Sequence, residues 1–186
     1  MAVSIVATVG SATANSYVTL AAATTALEAR YAGDSAAAWT AATDDVKNRA
    51  LVEAQVELQV LRWIGTRIDS TQALAWPREG ALRHDAPADA DLGEYGFPTY
   101  DADEIPDLVV AAQVELAFQF VKAGTTDLAM PDATDGVRRK KVDVLETEYA
   151  DPAYRATRGL SRYPRVWALI EPLLESSAGG LTVTRA

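Results

Sequence analysis

A chain of 186 residues, 49% of them hydrophobic and 23% charged, has enough apolar material for a core and falls outside disordered compositions. It contains no cysteine, which excludes disulfides, thiolate metal sites and a cysteine nucleophile. The net charge of −9, from 26 acidic and 17 basic residues, argues against a nucleic-acid binder as a whole-chain average, but leaves room for a local basic patch.

Alanine is abundant and aromatics are few, which favours helices over a β-sandwich. The opening Met1-Ala2-Val3-Ser4-Ile5-Val6 lacks the basic start and long apolar stretch of a secretory signal. No apolar run approaches the roughly 20 residues that span a bilayer, so a soluble intracellular product is expected. Ser4 to Val9 alternates weakly and ends at Gly10, which predicts a short strand or extended arm. Thr19 is placed to cap a first helix from Leu20 to about Tyr31, stopped by Gly33, with a small polar loop around Trp39 after it.

Thr43 caps the clearest helix, with Asp44 and Asp45 in the first turn where the helix dipole favours acids. It is predicted to run to about Ile64, before Gly65. At 100° per residue it carries two apolar stripes: Ala50, Leu51, Ala54, Leu58 and Leu61 on one side, and Val52, Val56 and Trp63 on the other, with Val60 at the edge. Two stripes imply two packing partners, either another subunit or the interior of a bundle. Trp76-Pro77 forces an extended backbone at Trp76, and Arg78-Glu79-Gly80 reads as a turn. Residues 81–104 read as a long Asp-, Ala-, Pro- and Gly-containing loop.

Pro106 suits the first turn of the next helix, which runs to about Lys122 and ends at Gly124. Only Gln113, Glu115, Gln119 and Lys122 interrupt its apolar faces, so it should be the most buried helix. Asp127 to Gly136 reads as a loop, and Val137 to Tyr149 as an extended strand or ribbon. Pro164 opens a last helix, Arg165 to Leu174, interrupted by Pro172. These elements predict a mainly α fold: a small bundle of about four helices with a β ribbon and extended N- and C-terminal arms. Residues 1–175 form the helical domain with its arm. Residues 176–186 form a Ser/Ala/Gly linker and a tail whose Leu181 and Val183 share one side of a short strand, with Arg185 beyond.

The residues offer little to an enzyme. The only histidine, His84, falls in the long loop, where a surface role outweighs a catalytic one, and no GxSxG, P-loop, GxGxxG or HExxH pattern occurs. The acidic residues from Asp85 to Asp107 lack calcium-loop spacing and read as a solvated loop. Glu53 and Glu57 stand one helical turn apart without a partner acid and read as an exposed face. No cofactor or metal is expected. The dense basic run Arg138-Arg139-Lys140-Lys141 admits three readings: phosphate contact, pairing with acids such as Glu146 and Glu148 in the same or another subunit, or plain solvation.

A set of short segments follows in fixed order along the chain: Ala14-Asn15-Ser16-Tyr17-Val18, Trp39 with Ala42-Thr43-Asp44-Asp45-Val46-Lys47, and Arg67-Ile68-Asp69. They continue with Gln72-Ala73-Leu74-Ala75-Trp76-Pro77-Arg78-Glu79-Gly80, Gly96-Phe97-Pro98, Ile105-Pro106, Val137 to Val142, Glu148-Tyr149-Ala150 and Tyr163-Pro164. In these pieces and their order the chain resembles a family of phage proteins labelled putative DnaT-like single-stranded DNA-binding proteins, which in turn look like head–tail connector adaptors. Asp143-Val144 stands where the family pattern has a Gly-Pro-type turn.

The resemblance implies a non-enzymatic structural neck adaptor of a tailed bacteriophage. Such a protein is made in the host cytoplasm and placed in the virion at the head–tail interface. Its implied partners are copies of itself in a twelve-membered ring, the portal protein and a tail-side neck or stopper protein, with genomic DNA passing through the channel. Arg138, Arg139, Lys140, Lys141, Glu146, Glu148, Leu181, Val183 and Arg185 are then the expected subunit or partner contacts, and Asp101, Asp103 and Glu104 the expected channel lining. A single-stranded DNA-binding module is the alternative.

Overall fold

The computed structural model describes residues 2–83, 85–87, 89–90, 92, 96–124, 139–142, 145–148 and 159–175. The fold is mainly α, as the composition and periodicity predict. Its helices are α1 (Leu20–Arg30), α2 (Ala37–Ala41), α3 (Asp44–Gln59), α4 (Asp107–Ala123) and α5 (Pro164–Ile170). Two short ribbons accompany them: β1 (Thr66–Arg67) with β2 (Arg78–Glu79), and β3 (Arg139–Val142) with β4 (Leu145–Glu148). No helix of the described residues is long and apolar enough to cross a membrane.

The helix starts follow the capping chemistry. The Thr19 hydroxyl accepts from Ala22 N–H and opens α1, and the Thr43 hydroxyl accepts from Val46 N–H and opens α3. Helix α1 stops at Tyr31 rather than Gly33, because Tyr31 turns extended while its N–H still bonds the Leu27 carbonyl. The expected polar loop around Trp39 is instead a single 3₁₀ turn (Gly33–Ala36) leading into α2. That turn sinks Trp39 into the core, where its indole N–H donates to the Thr24 hydroxyl at 3.2 Å.

Helix α3 ends at Gln59, about a turn before the predicted stop. The residues beyond it are drawn away by the end of the chain's last described segment. Trp63 pairs antiparallel with Leu174, Ile64 N–H bonds the Leu173 carbonyl, and Glu175 N–H bonds the Arg62 carbonyl. The Trp63 indole N–H returns to the Leu58 carbonyl at 3.0 Å and satisfies one of the acceptors a helix end leaves open. One apolar stripe is covered, and the other only in part: its Trp63 is buried beyond the helix end and Val52 is half-buried. Ala50, Leu51, Ala54 and Leu58 are buried, whereas Val56 and Val60 face solvent, Val60 at 76% exposure.

Helix α4 is the centre of the molecule and packs against α1, α2, α3 and α5. Val109, Ala112, Val114, Leu116, Ala117, Phe118 and Phe120 are all buried on it, and Gly124, at φ +69°, gives the left-handed cap that glycine adopts without strain. Its Gln113 amide is fully buried and fully used. It donates to the Ser16 hydroxyl (2.9 Å) and the Leu51 carbonyl (2.8 Å), and accepts from Tyr17 N–H (3.0 Å). This satisfaction is what lets a polar side chain sit at a core position.

The N-terminal arm is extended and held by side-chain amides and a carboxylate. Asn15 clamps Val6 N–H and the Ser4 carbonyl, each at 2.8 Å, while Asp45 and Asn48 hold Val3. Between α3 and α4, Trp76 is wholly buried, with edge-to-face contacts to Trp63 and Tyr100 at 5.9 Å each, and the Trp76–Pro77 peptide is cis. Of the predicted turn at Arg78-Glu79-Gly80, Gly80 turns, but Arg78 and Glu79 form the strand β2, because Thr66 pairs with Glu79 and Arg67 with Arg78. Gly65 has to be glycine here: a Cβ would lie 2.5 Å from the Glu79 carbonyl oxygen. Arg78 knots the region, its guanidinium donating to the carbonyls of Trp63, Ile64, Gly65 and Ala75.

Candidate nucleic-acid interface

Three stretches of chain meet on one side of α4. Helix α1 delivers Arg30 and Tyr31 at its C-terminal end. Helix α4 presents Glu115, Phe118, Gln119 and Lys122, spaced three or four residues apart and so stacked along one face. The turn entering α5 adds Arg162, Tyr163 and Arg165. Together, Arg30 aside, they line a recess of about 440 Å3.

The floor of the recess is organised by a buried carboxylate. Glu115 is 1% exposed, and it accepts from Arg30 Nη1 (3.0 Å), from the Tyr31 hydroxyl (2.7 and 2.8 Å to its two oxygens) and from Gln119 Nε2 (3.0 Å). A buried charge is tolerable because it is both paired and hydrogen-bonded. The Tyr31 ring lies 4.8 Å from Phe118, centroid to centroid, so its position is fixed from behind as well as at its hydroxyl. Arg165 Nη1 donates to the same hydroxyl at 2.6 Å, with the guanidinium carbon 5.5 Å from the ring centroid. Burial, reinforced by the hydrogen bond to Glu115 and its charge, raises the Tyr31 pKa above the ordinary phenol value, with Arg165 opposing. The Tyr163 pKa is raised chiefly by burial, and its ring meets Phe120 edge-on at 6.4 Å.

Three cations therefore border the recess, Lys122, Arg162 and Arg165, and Arg30 reaches its floor carboxylate from an adjoining hollow. Glu115 balances Arg30, and Lys122 makes no ion pair among the described residues. The result is a locally positive, aromatic-walled hollow on a chain whose total charge is −9. Chemically it suits a ligand that offers both a flat π face and an anionic group. Among the described residues, no three His, Asp or Glu side chains are grouped to hold a metal.

The residues singled out in the sequence are distributed differently. Arg139, Lys140 and Lys141 form β3, and Glu146 and Glu148 lie on β4, with Arg139 opposite Glu148 and Lys141 opposite Glu146. The basic and acidic positions thus meet within one ribbon of one chain. Arg138, Leu181, Val183, Arg185 and the 176–186 tail lie outside the described residues. Asp101 and Asp103 are exposed, while Glu104 accepts from Arg83 and from Asp101 N–H, each at 3.3 Å; none of the three lines the recess. Tyr31, Arg162 and Arg165 carried no motif, Tyr163 stood out only as part of the resemblance, and Pro164 otherwise only as a helix start.

The fold and the recess define a small helical protein with a cationic, aromatic-lined binding hollow. The family model described as "Putative DnaT-like ssDNA binding protein" matches residues 1–186, and the chain belongs to that family. No curated protein and no solved structure matches it.

This membership corrects the expected role. The family is described by single-stranded DNA binding and not by head–tail joining. The bacteriophage neck adaptor, its twelve-membered ring, its portal and stopper partners and a channel that DNA passes without binding are therefore withdrawn. The error had a physical source. Net charge is a sum over the chain, and a sum of −9 conceals four cations gathered on one face.

Proposed function

We propose that this chain is a single-stranded DNA-binding module, with the recess between α1, α4 and α5 as its strand-binding surface. One observation carries the reading: an aromatic ring fixed by Phe118 and Glu115 lies beside Lys122, Arg162 and Arg165. Single-stranded nucleic acid is held by the same combination, bases against aromatic side chains and phosphates against cations. Every base has a π face, so the surface is suited to binding with little sequence preference. The family's description points the same way. The reading is of binding without catalysis, in keeping with a sequence that has one histidine and no cysteine.

The test is fluorescence anisotropy with a labelled oligothymidine of about 20 nucleotides over a series of salt concentrations. Three or four phosphate contacts give a log–log slope of about −2 to −3, at about 0.7 per contact for single strands. A duplex of equal length should bind more weakly, because its bases are stacked on one another. No binding at low salt, or binding that the triple change Lys122→Ala, Arg162→Ala and Arg165→Ala leaves untouched, removes the proposal.

A further inference from the structure

Resting on the single-stranded DNA reading, we propose that the protein holds two consecutive nucleotides, one in each of two adjoining recesses. The phosphate that links them would sit between Arg30 and Arg165. The second recess, of about 370 Å3, is lined by Arg30, Arg165, Ala168 and Leu169. Both hollows fall at the small-ligand end of the usual range of about 300–1,000 Å3, each suited to one small unit rather than a long stretch of polymer.

The partition between the two is the argument. Arg30 and Tyr31 are neighbours in the chain, and Arg30 lines the second recess while Tyr31 lines the first. Arg165 lines both. The two guanidinium groups are therefore at the boundary, and among the described residues each is hydrogen-bonded through one nitrogen: Arg30 Nη1 on Glu115 at 3.0 Å, Arg165 Nη1 on the Tyr31 hydroxyl at 2.6 Å. A guanidinium carries five N–H donors, so each keeps most of its donors for an anion, and its orientation is set in advance. A phosphate at this boundary would be gripped from two sides, as the link of a dinucleotide requires.

The two sides differ in what they offer. The first has the Tyr31 ring as a stacking wall. The second has Ala168 and Leu169, apolar surface without a hydrogen-bonding side chain, so the unit there would be held by contact and not read for identity. Binding should thus gain sharply between one nucleotide and two, with little dependence on the second base.

The experiment is competition by thymidine monophosphate, the dinucleotide dTpT and a tetranucleotide against a labelled long strand. The wild-type protein is compared with Ala168→Trp and with Ala168→Glu. Position 168 is exposed, so both variants keep the core, while the first fills the second recess and the second makes it anionic. The expected result is dTpT about tenfold or more tighter than the monophosphate. In both variants dTpT should bind no tighter than the monophosphate does to the same variant, so that the step from one nucleotide to two disappears. If long strands bind but no step separates one nucleotide from two, or if both variants bind dTpT like wild type, the two-recess arrangement is wrong while the binding reading stands. If no strand binds at all, both fall together.

Discussion

The Tyr31 hydroxyl accepts a 2.6 Å hydrogen bond from Arg165, a residue 134 positions away in sequence, while donating to the Glu115 carboxylate at 2.7 Å. One phenol thus joins a buried anion on α4 to an exposed cation on α5, and its ring is fixed between them. A surface arranged in advance loses less rotamer freedom when it binds than one that must be ordered first.

Changing that ring should divide its two roles. Tyr31→Phe keeps the stacking face and loses both hydrogen bonds, and its strand affinity should fall only a few-fold. Tyr31→Ala removes the stack, for which alanine substitution typically costs about 1–3 kcal/mol, roughly five- to 150-fold in affinity. Arg165→Ala should instead flatten the salt dependence by about 0.7 in slope. Equal affinities for Tyr31→Ala and wild type in anisotropy titrations would show that no base stacks there.

Glu115 should matter more for folding than for contact with the ligand. It carries three hydrogen-bonding partners at 1% exposure, and bonds to a charged group are the costly ones to lose. Glu115→Ala is expected to destabilise by about 2–4 kcal/mol in urea melts, because Tyr31 and Gln119 lose their acceptor together. Glu115→Gln should cost less, since it retains the shape and one acceptor. An unchanged midpoint for the alanine variant would mean that this cluster is not holding the three segments together.

How much of this was readable in advance differs by element. The capping threonines Thr19 and Thr43, the Pro106 start and the Gly124 stop of α4 are local chemistry, and they lay in plain sight in the sequence. The end of α3 was not, because it depends on Trp63 pairing with Leu174, more than 100 residues later. The exposed Val56 and Val60 follow periodicity without burial, since a period shows which residues share a face and not whether anything covers it. The recess was illegible for a related reason. Its residues come from positions 31–35, 115–122 and 162–166, and only the packing of α1 and α5 on α4 brings them together.

Arg78 illustrates a charged residue whose work is structural. Four carbonyls, those of Trp63, Ile64, Gly65 and Ala75, share its guanidinium, and burial lowers its pKa below the usual arginine value. Arg78→Lys supplies three donors from a single point and cannot span four carbonyls. It should lose about 2–3 kcal/mol in denaturant titrations, with Arg78→Ala losing more. Strand binding by the folded protein should not change, because Arg78 does not line either recess. A lysine variant as stable as wild type would reduce the guanidinium to an ordinary surface cation.

Tyr17 sets the alkaline limit. Its hydroxyl is buried beside the backbone of Ala75 and Trp76 and the Gln55 side chain, without a hydrogen bond of ordinary geometry, and burial raises its pKa from 10.0 to about 12. The neutral phenol is the form the fold accepts. In the unfolded chain the group ionises near its ordinary value, so the fold keeps this contribution in full below pH 10.0 and loses it as the pH climbs through about 12. Over that window the loss amounts to about 2–3 kcal/mol, at roughly 1.4 kcal/mol per pH unit. Tyr17→Phe removes the titration. It should cost only about 0–1 kcal/mol at pH 7, since the lost hydroxyl has no partner to strand. Tyr31, Tyr100 and Tyr163 also have raised pKa values, but they are common to both proteins and cancel in the comparison. Urea melts from pH 7 to about 11.5 should therefore show the phenylalanine variant falling off less steeply than wild type above pH 10. Parallel curves across that range would mean that the Tyr17 hydroxyl reaches water in the folded protein.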